Sequence, residues 1–169
     1  MAEAVCEAYV GLGANLGDPP RQLLNALDRL ANDPEWRLEA RSRLWRSPAI
    51  GPQPQPDYCN AVCRLRTRLE PEQLLGRLLD LEDAAGRTRE QRWGPRLLDL
   101  DLLHVPGVRR ATTRLTLPHP QIARRDFVLR PWAEIAPGLV LPGLGSIAAL
   151  AAACANASAH PWPPLNNRV

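Results

Sequence analysis

Asp99 and Asp101 stand one residue apart in the run RLLDLDLL, residues 96–103. An ionised carboxylate among leucines is costly unless an opposite charge completes it. On a β-strand side chains alternate, so the two carboxylates share a face with Cα atoms about 6.5–7 Å apart. Leu98, Leu100 and Leu102 then face the other way. Carboxylates that close repel, and each raises the other's pKa unless cations lie between them. Two readings follow: a surface pair balanced by arginines opposite, or a divalent metal site. Magnesium takes few carboxylates and fills its shell with water and phosphate oxygens. Two such ions about 4 Å apart can bridge a polyphosphate.

Other residue types suit the same chemistry. Arg87, Arg89, Arg92 and Arg96 lie just upstream of the acidic pair. Alone they read as a solvated charged loop; beside two carboxylates they suit bidentate phosphate binding. Tyr58, Asn60 and Val62 alternate with Cys59, Ala61 and Cys63, so Tyr58 and Asn60 share a strand face. They read either as ordinary exposed strand residues or as a slot for a flat heterocycle, Tyr58 stacking and Asn60 bonding the ring edge. Phe127 is the single phenylalanine and follows Arg124, Arg125 and Asp126. His119, among apolar residues, reads as a core histidine or as a phosphate donor. GLGANLG (11–17) has glycine spacing one residue too long for a dinucleotide fingerprint. It reads as a strand-to-helix turn that needs glycine's φ freedom, or as a turn that also brings backbone close to a ligand.

The elements that must position these groups follow from patterning. Residues 6–13 form an apolar strand. Asp18 and Pro19 open a helix with Leu23, Leu24, Leu27, Leu30 and Ala31 at helical spacing. Residues 36–46 alternate as a half-exposed strand. The loop at 47–58 holds four prolines in twelve residues, which forbids helix and central strand. A strand at 57–69, a helix from Pro71 to a stop at Gly86, and a strand at 96–105 complete the order strand, helix, strand, strand, helix, strand. That order predicts an α+β, ferredoxin-like βαββαβ core with an antiparallel sheet and both helices on one face. Helices near 119–136 and 145–156 are expected to cover the other face, giving an α/β/α three-layer sandwich. Residues 157–169 are expected to be an irregular tail.

With 169 residues, 45% hydrophobic, the chain suits one compact domain spanning 1–169. No apolar run reaches the ~20 residues that cross a bilayer, and MAEAVCEAYV lacks a signal peptide's basic start. A cytoplasmic protein without membrane contact is expected. Cys6, Cys59, Cys63 and Cys154 have no metal-like spacing and read as reduced thiols. All 21 basic residues are arginine, so a P-loop, which needs lysine, is excluded. Net charge is +3 and aromatics are 5%, too little charge and too few stacking rings for an RNA-recognition sheet.

YVGLGANLGD, GPQPQPDYCNAV, RWGPRLLDLDLL, LTLPHPQIARRDFVLRPWAEIAP and LVLP together resemble the 6-hydroxymethyl-7,8-dihydropterin pyrophosphokinase family of folate biosynthesis. The resemblance covers nearly the whole chain, and its R-W-G-P-R-x-x-D-L-D block is the most specific part. It implies transfer of a pyrophosphoryl group from ATP, the co-substrate, to the pterin's hydroxymethyl group with release of AMP. It implies that Asp99 and Asp101 bind two Mg2+ ions. Tyr58 and Phe127 would sandwich the pterin, Asn60 would read its edge, and Ser47, Pro48 and Ile50 would complete the slot. Arg87 and Arg89 match mobile-loop arginines, with Trp93 and Arg96 closing over the site. Glu82, Arg114, Thr116, His119 and Arg125 match positions lining the nucleotide pocket. Partners are then small molecules, with no nucleic acid, and a monomer suffices. Ala14, Leu79, Pro120 and a loop one residue short depart from the family's pattern and bear on the nucleotide contacts. An ordinary γ-phosphoryl kinase, which would release ADP, and a non-catalytic binding module are the competing readings.

Overall fold

The computed structural model describes residues 4–86, 97–155 and 157–165. The chain opens with strand β1 (Cys6–Ala14) and helix α1 (Pro19–Asn32). Asp18 caps α1, its side chain accepting the Arg21 N–H at 3.3 Å. Leu23, Leu27 and Leu30 are buried, as their spacing predicts; Leu24 is half-buried and Ala31 exposed. Next come β2 (Trp36–Arg41), β3 (Trp45–Ser47) and β4 (Tyr58–Thr67).

The strand expected over 36–46 is therefore two strands. The β2–β4 ladder shifts register between Leu38 and Ala40. Beyond it Ser42 takes over: its N–H donates to Val62 O at 2.8 Å, and its hydroxyl accepts the Val62 N–H at 3.0 Å. A side-chain bond has replaced a ladder bond there.

Helix α2 (Pro71–Ala84) starts at a capping box between Glu70 and Gln73 and is followed by Gly86 at φ +89°. Strand β5 (Asp99–His104) follows, then the short pair β6 (Arg110–Ala111) and β7 (Thr116–Leu117). The helix expected over 119–136 is a 3-10 turn at Ile122–Arg124 and then α3 (Asp126–Ile135). The short strands β8 (Val140–Leu141) and β9 (Gly145–Ser146) precede α4 (Ile147–Ala153), capped by Ser146. The tail expected to be irregular supplies β10 (His160–Pro161).

The main sheet has the order β10-β3-β4-β1-β5, with β2 also pairing β4, and its pairings are antiparallel. Its two faces carry different cores. Val10, Leu12, Ala61, Cys63, Leu100 and Leu102 pack with α1 and α2. Tyr9, Val62 and Leu103 pack with Leu129 and Trp132 of α3 and Ile147 of α4. Cys59 and Cys63 are buried free thiols pushed up to about 12, so they remain neutral core residues. Among the described residues no helix is long and apolar enough to cross a membrane.

The proline loop is fixed from β1. Asn15, buried just past that strand, donates through Nδ2 to Gln55 Oε1 and Pro56 O, both at 3.1 Å. Asn15→Ala removes these donors and is expected to lower the unfolding free energy by about 1–3 kcal/mol. Chemical denaturation of the two proteins measures the difference.

Candidate active site

On the α3 side of the sheet, β1 presents glycine where its neighbours present functional groups. Gly11 lies between Val62 and Asp101, and Gly13 between Asn60 and Asp99. The missing side chains leave a cavity of about 550 Å³ floored by Gly11, Leu12 and Gly13. A Cβ on Gly13 would stand 3.6 Å from Asn60 Oδ1 and 3.7 Å from the Tyr58 ring. A methyl is therefore sterically tolerable but would fill the floor. Gly11 and Gly13 sit in strand rather than in a turn; of this motif's glycines it is Gly17 that adopts positive φ, at 66°. They serve by lacking a side chain, not by backbone freedom.

Asp99 and Asp101 both line this cavity, as the alternation predicts, while Leu100 and Leu102 between and beside them are buried in the opposite core. Arg125 Nη1 is 3.9 Å from Asp101 Oδ2, longer than a direct hydrogen bond. No group of three or more His, Cys, Asp or Glu that would cage a metal occurs among the described residues. Two carboxylates on one face, open to a cavity, fit magnesium, which leaves most of its shell to water and phosphate oxygens.

Ser47, Pro48, Ile50, Tyr58, Asn60 and Phe127 line the same cavity. Asn60 Nδ2 donates to the buried Ser47 hydroxyl at 2.8 Å. That bond fixes which way the amide points and turns Oδ1 toward Gly13, as an acceptor beside the cavity floor.

His119 and Arg125 are also lining residues. His119 Nδ1 accepts the Gln121 N–H at 3.3 Å, so the neutral ring carries its hydrogen on Nε2. Burial holds the His119 pKa below its ordinary value, the Arg125 charge adds to this, and Asp99 opposes it. Arg125 donates to Gln121 Oε1 at 3.0 Å and its guanidinium lies 5.7 Å from the Phe127 ring centre. It thus bridges the acidic and aromatic sides of the cavity.

Three of the residues expected at a nucleotide pocket do not line this cavity. Glu82 is buried in α2 and accepts the Leu100 N–H at 2.7 Å, anchoring the strand that carries the aspartates. Arg114 and Thr116 are exposed, on the β6–β7 turn and in β7; Arg114 Nη2 lies beside Gly76 of α2. Arg87, Arg89, Trp93 and Arg96 fall outside the described residues. Gln121 and Arg124 line the cavity without having been singled out from the sequence for it, and Gly11 and Gly13 line it from a strand rather than from the expected turn. The glycines had a signal, alternate spacing on a strand, but its meaning needed the pairing with β4 and β5.

A family model described as 7,8-dihydro-6-hydroxymethylpterin-pyrophosphokinase matches residues 9–137. A Methylorubrum extorquens protein named 2-amino-4-hydroxy-6-hydroxymethyldihydropteridine pyrophosphokinase is 46% identical over 136 residues, covering 80% of this chain and 86% of that one. A Pseudomonas aeruginosa protein of the same name is 44% identical over 146 residues, covering 86% and 90%. Among solved structures, Plasmodium falciparum HPPK-DHPS aligns with TM-score 0.67 at 10% identity, a likeness of fold. That alignment covers 89% of this chain but only 45% of the solved one.

Both His119 and the buried His104 have pKa values lowered by burial. Above the ordinary value of 6.5 both states are neutral and folding is unaffected. As pH falls through 6.5, the unfolded chain takes up protons that the folded imidazoles resist, so stability is lost. Unfolding free energy measured between about pH 7.5 and 5 is expected to decline, and His104→Gln and His119→Gln each to flatten the curve.

Proposed function

The chain belongs to the 7,8-dihydro-6-hydroxymethylpterin-pyrophosphokinase family, and from that premise we propose that this cavity is where it transfers pyrophosphate from ATP to 6-hydroxymethyl-7,8-dihydropterin, a step of folate biosynthesis. The observation that carries the assignment is convergence. Six residues expected for a pterin and two carboxylates expected for metal, far apart in sequence, line one cavity with His119 and Arg125. The strand order and the two cores support reading the fold as a ferredoxin-like βαββαβ core within three layers.

In this reading Asn60 Oδ1 accepts from the pterin's ring edge, and Tyr58 and Phe127 stack on its faces. The pterin's hydroxymethyl oxygen then attacks the β-phosphorus of ATP. A bond forms from that oxygen to the β-phosphorus, the bond from the β-phosphorus to the α,β-bridging oxygen breaks, and AMP departs with that oxygen. The hydroxyl proton is lost to solvent. Such a reaction asks mainly for positioning and charge stabilisation. Arg125 and the His119 Nε2–H are the described donors toward the phosphates. Asp99 and Asp101 would hold two Mg2+ ions, whose chemistry is neutralisation of phosphate charge. Arg87, Arg89, Trp93 and Arg96 would complete the enclosure. Glu82, Arg114 and Thr116 are assigned to the nucleotide's surroundings, with Glu82 acting through β5.

Incubation with ATP, Mg2+ and hydroxymethyldihydropterin is expected to release AMP; ADP would indicate an ordinary kinase and overturn the reading. Asp99→Asn and Asp101→Asn are each expected to lower turnover by about a thousandfold while the circular dichroism spectrum and melting temperature stay near wild type. Arg89→Ala is expected to reduce kcat much more than pterin affinity, measured by turnover and by equilibrium titration.

A further inference from the structure

Building on the pyrophosphokinase reading, we propose that Asp126 is a positioning residue that, through the C-terminal segment, sets the spacing between the two sides of the pterin slot. Asp126 lies between two lining residues, Arg125 and Phe127, and is only 3% exposed. Its Oδ2 accepts the backbone N–H of Ala159 at 2.7 Å, a contact 33 residues away in sequence. The chain then runs straight to the other side of the slot. His160 and Pro161 pair with Arg46 and Trp45 in β3, and the Trp162 N–H donates to Leu44 O at 2.9 Å. The Arg46 guanidinium lies 5.4 Å from the Trp162 ring centre and donates to Asp57 Oδ2 at 2.8 Å, one residue before Tyr58. Four residues, 159–162, thus tie the start of α3 to the elements carrying Ser47 and Tyr58.

The far end of α3 has its own attachment to the same edge. Glu134 accepts the Trp45 indole N–H and, at 3.2 Å, the Arg43 backbone N–H. Glu134 holds the helix end distant from the cavity, and the Asp126–Ala159 bond holds the end that bears Phe127. Loss of the second tie would let the aromatic end swing about the first. A carboxylate in a helix's first turn also benefits from the helix dipole, a stabilising role that does not require Ala159. The two roles are separable, because asparagine keeps an acceptor for the Ala159 N–H but loses the charge.

The test compares wild type, Asp126→Ala, Asp126→Asn and Trp162→Ala in the full chain, with KM for each substrate, kcat and melting temperature. Asp126→Ala is expected to raise the pterin KM about tenfold, Asp126→Asn to restore it, and Trp162→Ala to raise it about threefold. A lower melting temperature with unchanged pterin KM is the signature of a merely structural residue and overturns the proposal. So does an Asp126→Asn protein as impaired as Asp126→Ala. If Asp126→Ala does not fold, Trp162→Ala decides: an unchanged pterin KM overturns the proposal and a raised one upholds it. Wild type that releases no AMP would instead overturn the pyrophosphokinase reading, and this proposal with it.

Discussion

The site depends on the parity of one edge strand. Along β5 leucine and aspartate alternate, so a single backbone segment seals a core on one side and offers two carboxylates on the other. The leucines fix that orientation, since a one-residue slip would bury both charges and expose both apolar side chains. Glu82 reinforces it by accepting the Leu100 N–H. Hydrophobic burial thus holds the acidic pair toward the cavity.

The remaining residues are arranged around that pair at graded distances in the sheet. Gly11 and Gly13 separate the carboxylates from Val62 and Asn60 by one strand, so the acidic and amide sides of the cavity lie side by side in the sheet. Arg125 spans the two halves, reaching toward Asp101 on one side and Phe127 on the other. One guanidinium therefore couples the acidic side of the cavity to its aromatic side.

Patterns with a short period were legible in the sequence. The facing of Asp99 with Asp101 and of Tyr58 with Asn60 follows from alternation alone, and Asp18, Pro19 and Pro71 mark helix starts that the structure keeps. The interruption of 36–46 was not legible, because Ser42 competes for ladder bonds in a way that only its partner Val62 reveals. Nor was the delayed start of α3, where a 3-10 turn brings Gln121 and Arg125 together. The strand at His160–Pro161 is too short to carry a pattern and exists because β3 offers an open edge. Family resemblance pointed to six residues that prove to line one cavity, whereas the part Gly11 and Gly13 play in its floor required the sheet's register.

The glycine floor has a consequence for inhibition. An inhibitor group reaching it would touch peptide planes instead of side chains, so that contact is not one that point mutation can reshape freely. At Gly11 or Gly13 any other residue adds atoms to the cavity floor. Escape through those positions would come at the expense of the cavity's own volume, which makes the floor a durable footing for ligand design.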